Sequence, residues 1–314
     1  MYNQDGNPQI ASNVSEDEID LKELFTALWQ GKWAILGAVL TAAVVAIFYA
    51  LSIPNIYKSE ALLAPVEENN GGSLSSLAGQ FGGLASLAGI NLGGASSGKI
   101  TIALELLKSR QFLGEFIDEN DLKPAIIAAE GWDQSKNTLV YDKDIYELDQ
   151  QKWVRDVNPP KQVEPSLLEA HQKFLKDNLI VSQDKDSGLV KLSVKHYSPY
   201  LAQELVSKLI KAINKQMRQK DIEEAQNSIE YLQKALRKTD VADMQSVFYQ
   251  LIEKQQQTKM LANVREEYVL KTIDPPVVAE EKSEPKRAII VILMSILGGI
   301  IGSVFSLIKY FRKG

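Results

Sequence analysis

Gly93, Gly98 and Lys99 have the spacing of a phosphate-binding loop, in which backbone N–H groups cradle phosphate oxygens and the lysine reaches the terminal phosphates. That chemistry needs Ser or Thr at the next position, for magnesium. The chain has Ile100 there, and no apolar strand precedes the glycines. The match reads as chance in a Gly/Ser-rich stretch. Asp142 with Asp144, and Asp184 with Asp186, pair carboxylates that could serve acid–base work. Both pairs stand beside lysines and read as solvated turn charges. His171 and His196 are the only histidines, too few for a histidine-rich metal site, and each reads as structural. With no cysteine there is no thiolate ligand, no cysteine nucleophile and no disulfide. The chain has no zinc-binding helix motif, nucleophile elbow, kinase signature or dinucleotide fingerprint. The expectation is a protein that is not an enzyme, with no catalytic residue, cofactor or metal site.

A second spacing carries no chemistry but implies packing. Ala34, Ala38, Ala42, Ala46 and Ala50 recur at every fourth position; so do Ser295, Gly299 and Ser303, and Gly298, Gly302 and Ser306. Small residues at this spacing let helix backbones approach closely in a bilayer. Both sets lie in charge-free runs, Trp33–Ile53 and Ala288–Ile308, each of about the 20 residues that cross a membrane as a helix. Gly298, Gly299 and Gly302 are therefore expected at a transmembrane packing contact, within or between subunits. The first run begins too far into the chain, and is too long, for a cleavable signal peptide.

These runs divide the chain. The expected order is a tail at 1–32 with a short amphipathic helix, a span at 33–53, and a base domain at 54–198. A long helical segment at 199–267 follows, then a return strand and proline-rich segment at 268–287, a span at 288–308 and a tail at 309–314. The fold class is α+β with two flanking transmembrane helices. Two spans put both tails on one side. Lysines and arginines are balanced between tails and loop ends, so the positive-inside rule does not orient the chain. The economical reading has cytoplasmic tails and the large segment outside. The 314 residues are 45% hydrophobic and 24% charged, which excludes a disordered or fibrous chain. A net charge of −5 gives no general attraction to nucleic acid. The short second tail is expected to leave no room for a cytoplasmic output domain.

Local patterns fill in the elements. Ser15 and Glu18 have capping-box spacing, and Leu21, Leu24, Phe25, Leu28 and Trp29 form one helical face. Tyr57–Ala64 reads as a strand, and residues 69–98 as a Gly/Ser-rich loop carrying spaced leucines. Helical spacing returns over Ile100–Asn120, with Ser109 as a cap, and residues 124–165 read as irregular around their prolines. Ser166–Lys176 reads as a helix, and Asn178–Ser182 and Leu189–Lys195 as a hairpin turned by Asp184–Gly188. From Pro199 helical spacing runs without Pro or Gly, and Tyr200–Arg237 alone would reach about 57 Å. Thr239 or Asp240 is the expected cap of a second long helix, giving a hairpin or bent rod. Tyr268–Ile273 reads as a strand, after which Pro275, Pro276 and Pro285 stiffen the approach to the second span.

In this order the pieces resemble the Wzz-type chain-length determinants, the polysaccharide co-polymerase family. The resemblance is carried by Glu18-Ile19-Asp20-Leu21 and Tyr57-Lys58-Ser59-Glu60-Ala61 around the first span, and by Ser187-Gly188-Leu189-Val190 with His196-Tyr197-Ser198-Pro199. It continues through Leu251-Ile252-Glu253-Lys254-Gln255 and Met260-Leu261-Ala262. It ends in Pro275-Pro276 and Ser283-Glu284-Pro285-Lys286, running into Gly298-Gly299-Ile300-Ile301-Gly302. The resemblance implies a bacterial inner-membrane protein with a periplasmic α/β base and long protruding helices. It implies a ring-shaped homo-oligomer of about eight subunits, by family analogy. The implied function is control of O-antigen lipopolysaccharide chain length, as a scaffold acting with a separate O-antigen polymerase and with lipid-linked polysaccharide as a further ligand. Two alternatives are an adaptor that activates a separate capsule tyrosine kinase, and a structural component of a polysaccharide export system. Members fused to a kinase carry a P-loop domain after the second span, and this sequence is expected to stand outside that subclass.

Overall fold

The computed structural model describes residues 28–66 and 95–312. Most of the expected N-terminal amphipathic helix, up to residue 27, and nearly all of the Gly/Ser-rich loop lie outside the described residues. Two units account for the chain: one holds the two segments up to Ile53 and from Lys286, the other is Pro54–Pro285.

In the first unit, helix α1 (Lys32–Ser52) has 21 residues, about 32 Å of rise, and matches the thickness of a bilayer core. Its outward side chains, among them Leu40, Val44, Phe48 and Leu51, are apolar and exposed. Such a surface suits hydrocarbon rather than water. Its partner in this unit, at the far end of the chain, is the last helix.

The second unit opens with strand β1 (Tyr57–Pro65), after Pro54 has ended the helical stretch. Three helices follow: α2 (Ala95–Leu106), α3 (Arg110–Glu119) and α4 (Lys123–Ile127). Ser109 Oγ accepts from the Phe112 N–H and caps α3. The stretch expected to be irregular contains two small hairpins, β2 (Ala129–Asp133) with β3 (Thr138–Tyr141), and β4 (Tyr146–Glu147) with β5 (Lys152–Trp153). Strands of two to five residues are too short for periodicity to show. Helix α5 (Leu167–Lys173), capped by Ser166, runs on as a π-helical turn over Phe174–Asn178.

Strands β6 (Leu179–Gln183) and β7 (Val190–His196) form the expected hairpin. Its turn is built by Asp184, whose carboxylate accepts from the Asp186 and Ser187 N–H groups, and by Gly188 at φ +71°. Next come α6 (Pro199–Leu236, 38 residues), α7 (Ala242–Val264) and β8 (Leu270–Asp274). The α6–α7 cap differs from expectation. Val241 occupies the N-cap position without a side-chain bond. Thr239 Oγ1 instead donates back to Ala235 O and closes α6.

Strands β1, β6, β7 and β8 form one antiparallel sheet in the order β6-β7-β1-β8. Ser59, Ala61 and Leu63 pair with Val194, Leu192 and Val190, and this face is buried. Against it lie Leu205, Leu209, Ile213 and Met217 of α6, together with Leu104 of α2, Leu107 just after it, and Phe112 and Phe116 of α3. Past Met217 the buried residues of α6 are only Ala225 and Ile229. There α6 outruns the sheet and pairs with α7, as where Lys259 Nζ donates to Gln226 Oε1 at 2.6 Å. The long helices are a hairpin rooted in the sheet. The chain closes with α8 (Arg287–Phe311, 25 residues), the second helix of the first unit and again apolar on its outward surface.

Candidate functional site

The residues that could do chemistry have structural occupations. Lys99 lies within helix α2, so Gly98 and Lys99 are not in a loop. Its ammonium sits 2.6 Å from Asp221 Oδ2 on α6 and 4.4 Å above the Tyr268 ring. The Tyr268 hydroxyl donates to the same carboxylate at 2.5 Å. Burial, and then the Asp221 hydrogen bond, push the Tyr268 phenol up to about 12. The phenol therefore stays a donor, and the three side chains tie α2, α6 and the approach to β8 together.

His196 is 3% exposed. Its Nδ1 accepts from the Ser198 N–H at 3.2 Å, so in the neutral ring Nε2 carries the proton and donates to Ala125 O at 3.1 Å. Burial lowers its pKa, opposed by the Ala125 bond. Ser198 in turn caps α6, with Pro199 at the first helical position. His171 Nε2 lies 3.0 Å from Lys108 O. Asp142 accepts from the Asp144 N–H, a turn rather than an acid–base pair. Among the described residues no group of three or more potential ligands could hold a metal ion.

The glycines sit where α1 and α8 touch. The helices run antiparallel, since Gly298 faces Ala42 while Gly302 faces Ala38 and Ile35. A Cβ on Gly298 would stand 2.5 Å from Ala42 Cβ and 2.9 Å from Ala38 O. On Gly302 it would stand 3.0 Å from both Ala38 Cβ and Ile35 Cα. Gly299 is less constrained, with Val39 at 3.4 Å. Ala46, Ala50 and Ser306 are buried along the same seam, whereas Ala34 is exposed. At the other end of the seam, Arg287 Nε donates to Ala50 O at 2.9 Å and occupies a carbonyl left free at the C-terminus of α1. The hydroxyls of Thr41, Ser295 and Ser303 bond back to their own helices, as an apolar solvent requires.

The prolines follow the edge of β1. Pro275 and Pro276 come directly after β8 and lack the N–H that the ladder would need. Side chains take over: Gln203 Nε2 reaches Pro276 O at 3.4 Å, and Ser59 Oγ donates to Val277 O at 2.7 Å. Just before Pro285 the chain pairs with the residue that precedes β1. Ile56 N donates to Glu284 O, and the Ser283 and Glu284 N–H groups both donate to Ile56 O. Glu284 also pairs with Lys195 at 2.5 Å. On the same outer sheet face Glu60 gathers Lys58, Ser193 and Lys191, and the Lys58 bond holds its carboxyl below the usual range. The motif residues Lys58, Glu60 and His196 thus lie in one sheet, with Ser198 just past the end of β7 and Glu284 bridged to Ile56 just before β1.

Sequence reasoning missed two anchors. Asn214, 3% exposed on α6, accepts at Oδ1 from the N–H groups of Tyr268, Val269 and Leu270 and donates to Leu270 O. Arg155 grips both carboxylate oxygens of Glu169 and the carbonyls of Gln162 and Val163, fixing the segment before α5. Asn214 had a signal, a polar residue on the buried face between Ile213 and Met217. Arg155 had none.

Known proteins share this chain's features. Residues 17–120 match the family model of Wzz, the chain length determinant protein. Residues 230–311 match GNVR, the family model of a G-rich domain on tyrosine kinases. The tyrosine-protein kinases wzc of Salmonella typhi and Salmonella typhimurium are each 29% identical over 119 residues, which are 38% of this chain and 15% of the kinase. The chain therefore spans about a seventh of the length of those relatives. A full-length bacterial polysaccharide co-polymerase is similar in structure, with TM-score 0.39 and 14% identity, over 94% of this chain and 98% of that one. A fragment of WzzB, the polysaccharide co-polymerase from Salmonella Typhimurium, gives TM-score 0.30 and 13% identity, over 73% of this chain and all of that one.

Proposed function

We propose, from its Wzz-type chain length determinant region at residues 17–120, that the protein sets the chain length of a surface polysaccharide, the O-antigen of lipopolysaccharide. It is anchored in the bacterial inner membrane by α1 and α8, with both termini cytoplasmic and residues 54–285 in the periplasm. Subunits assemble into a homo-oligomeric ring, of about eight copies by family analogy. The ring is a scaffold for a separate O-antigen polymerase, which extends glycan on a lipid carrier, so that extension stops within a preferred range. The protein itself acts as a regulator, not an enzyme. The observation that carries this reading is the family match joined to two membrane-length helices bracketing one mixed helix–sheet unit. The Gly298–Gly302 seam supports a role for those residues in holding the span pair, and the prolines support a fixed approach to α8.

The experiment is a gel of surface polysaccharide from a strain lacking the gene, with and without the gene restored. Polymer that persists, loses its preferred length and regains it on restoration supports length control. Loss of all polymer would favour a part in export. An unaltered gel counts against both. Purified protein that stays monomeric in mild detergent and in native membranes would remove the ring. A second reading is an adaptor for a separate tyrosine kinase; the GNVR match and the wzc kinases, of which this chain covers 15%, support it only weakly. Co-purification of a kinase with the full chain would support it.

A further inference from the structure

The stretch from α3 to α5, where sequence patterns are weakest, encloses a cleft of about 460 Å³, within the range of small-molecule sites. Its apolar wall is Ile117, Pro124, Tyr146 and Trp153; Ile117 and Tyr146 are buried behind it, and the half-buried Trp153 offers the accessible ring. Tyr146 and Trp153 are cross-strand partners in the β4–β5 hairpin, with ring centroids 4.8 Å apart. Its polar wall carries Asp118, Asp121, Gln151 and Glu164. Lys123, the cation lining the cleft, is paired with Glu164 at 2.9 Å. The lining is therefore acidic and disfavours phosphates and other anions. An indole and a phenol beside carboxylates and an amide suit a ligand that offers C–H faces on one side and hydroxyls on the other.

Backbone conformation adds an independent observation. Asp121 and Gln151 each have φ near +50°, two of the three non-glycine residues of that kind among the described residues, and both line the cleft. Asp121 follows the C-cap of α3, and Gln151 ends the β4–β5 loop. Glycine or asparagine usually fills such positions, because their backbone tolerates the left-handed region. Asp121 has the length of the asparagine usual there, whereas Gln151 carries a longer side chain, and both line the cleft. Residues held in sparsely populated backbone regions cluster at ligand sites.

We propose that this cleft binds an uncharged saccharide, with Trp153, backed by Tyr146, against the sugar ring and Asp118, Asp121 and Gln151 taking its hydroxyls. The saccharide class rests on the cleft's own chemistry; identifying its source as the surface polysaccharide rests on the function proposed above. The test uses the full-length protein in mild detergent and isothermal titration calorimetry. The probes are repeat-unit oligosaccharides released from the strain's own polysaccharide, with cellobiose and lactose alongside. The variants are Asp121→Gly and Gln151→Gly, which suit the backbone and should keep or raise the melting temperature, and Trp153→Ala. Glycine variants that melt no lower yet bind at least about three-fold more weakly support the site. A loss of about ten-fold or more in Trp153→Ala supports the aromatic wall. Binding that persists in 0.5 M salt supports an uncharged ligand; binding abolished there would mean attraction of a cation to the acidic lining and would overturn the proposal. Failure of every probe to bind, or equal binding by all variants, also overturns it. Because the gel reads length control without reference to the cleft, a deletion strain that loses its preferred length, together with no binding, would reject the site and leave the proposed function standing.

Discussion

At the scale of single residues, His196 and Asn214 have the largest stakes, because each is a polar group sealed in the core with every bond assigned. The folded state lowers the pKa of His196, so the unfolded chain binds the proton more readily. Its contribution is complete above the unfolded value of about 6.5 and is lost as pH falls from there through the lowered folded value. Thermal melts of the full chain between pH 7.5 and pH 5 should show a falling midpoint that is flatter in His196→Gln; an identical slope in both proteins would mean that the ring is not held neutral. Asn214→Leu leaves three backbone N–H groups without their acceptor and should cost at least about 2 kcal/mol, read as a lower denaturation midpoint. The sequence marks both histidines as structural, and the structure supplies the bonds. It also places Lys99 in a spurious phosphate-binding pattern. The partners that explain this lysine, Asp221 and Tyr268, stand more than a hundred residues away in the chain, where no local pattern reaches.

At the scale of elements, close approach between α1 and α8 depends on two hydrogen-sized side chains. Gly298→Ala would place a methyl group 2.5 Å from Ala42 Cβ, whereas Gly37→Ala meets nothing within 4 Å. The two variants should therefore separate. Gly37→Ala should be neutral or slightly stabilising, from helix propensity, while Gly298→Ala should lower the melting temperature in detergent. Gly298→Leu and Gly302→Leu should broaden the polysaccharide length distribution at normal protein level. Equal behaviour of the Gly37 and Gly298 variants would leave the glycines as filler. The long helices, the β6–β7 hairpin and β8 are legible in sequence because their periodicity persists over many residues or ends in a strong turn. The two hairpins between Ala129 and Trp153 are not, because strands this short are defined by aromatic contacts such as Trp132 with Tyr57 and Tyr146 with Trp153 rather than by alternation.

At the scale of the whole molecule, one helix links a packed core to a thinner extension. Up to Met217, α6 is embedded against the sheet; beyond it, α7 is its main cover. Backbone amide exchange in a dispersed protomer should therefore quicken from Met217 toward Thr239. Assembly into the proposed ring should slow exchange in the outer half, if neighbouring hairpins pack side by side. Uniform protection along α6 in the monomer would contradict the packing described above. The position of β1 has a consequence for how the protein is made. This strand is synthesised first among the sheet strands, yet it lies between β7 and β8, and Ile56 just before it anchors the segment at Glu284. A ribosome must deliver residues 190–196, and later 270–274, before that strand has neighbours on both edges. Such long-range pairing makes folding slow and leaves intermediates with open strand edges. The sheet therefore forms late in translation, and a stalled or shortened chain would present a bare apolar ribbon to any chaperone or protease that meets it.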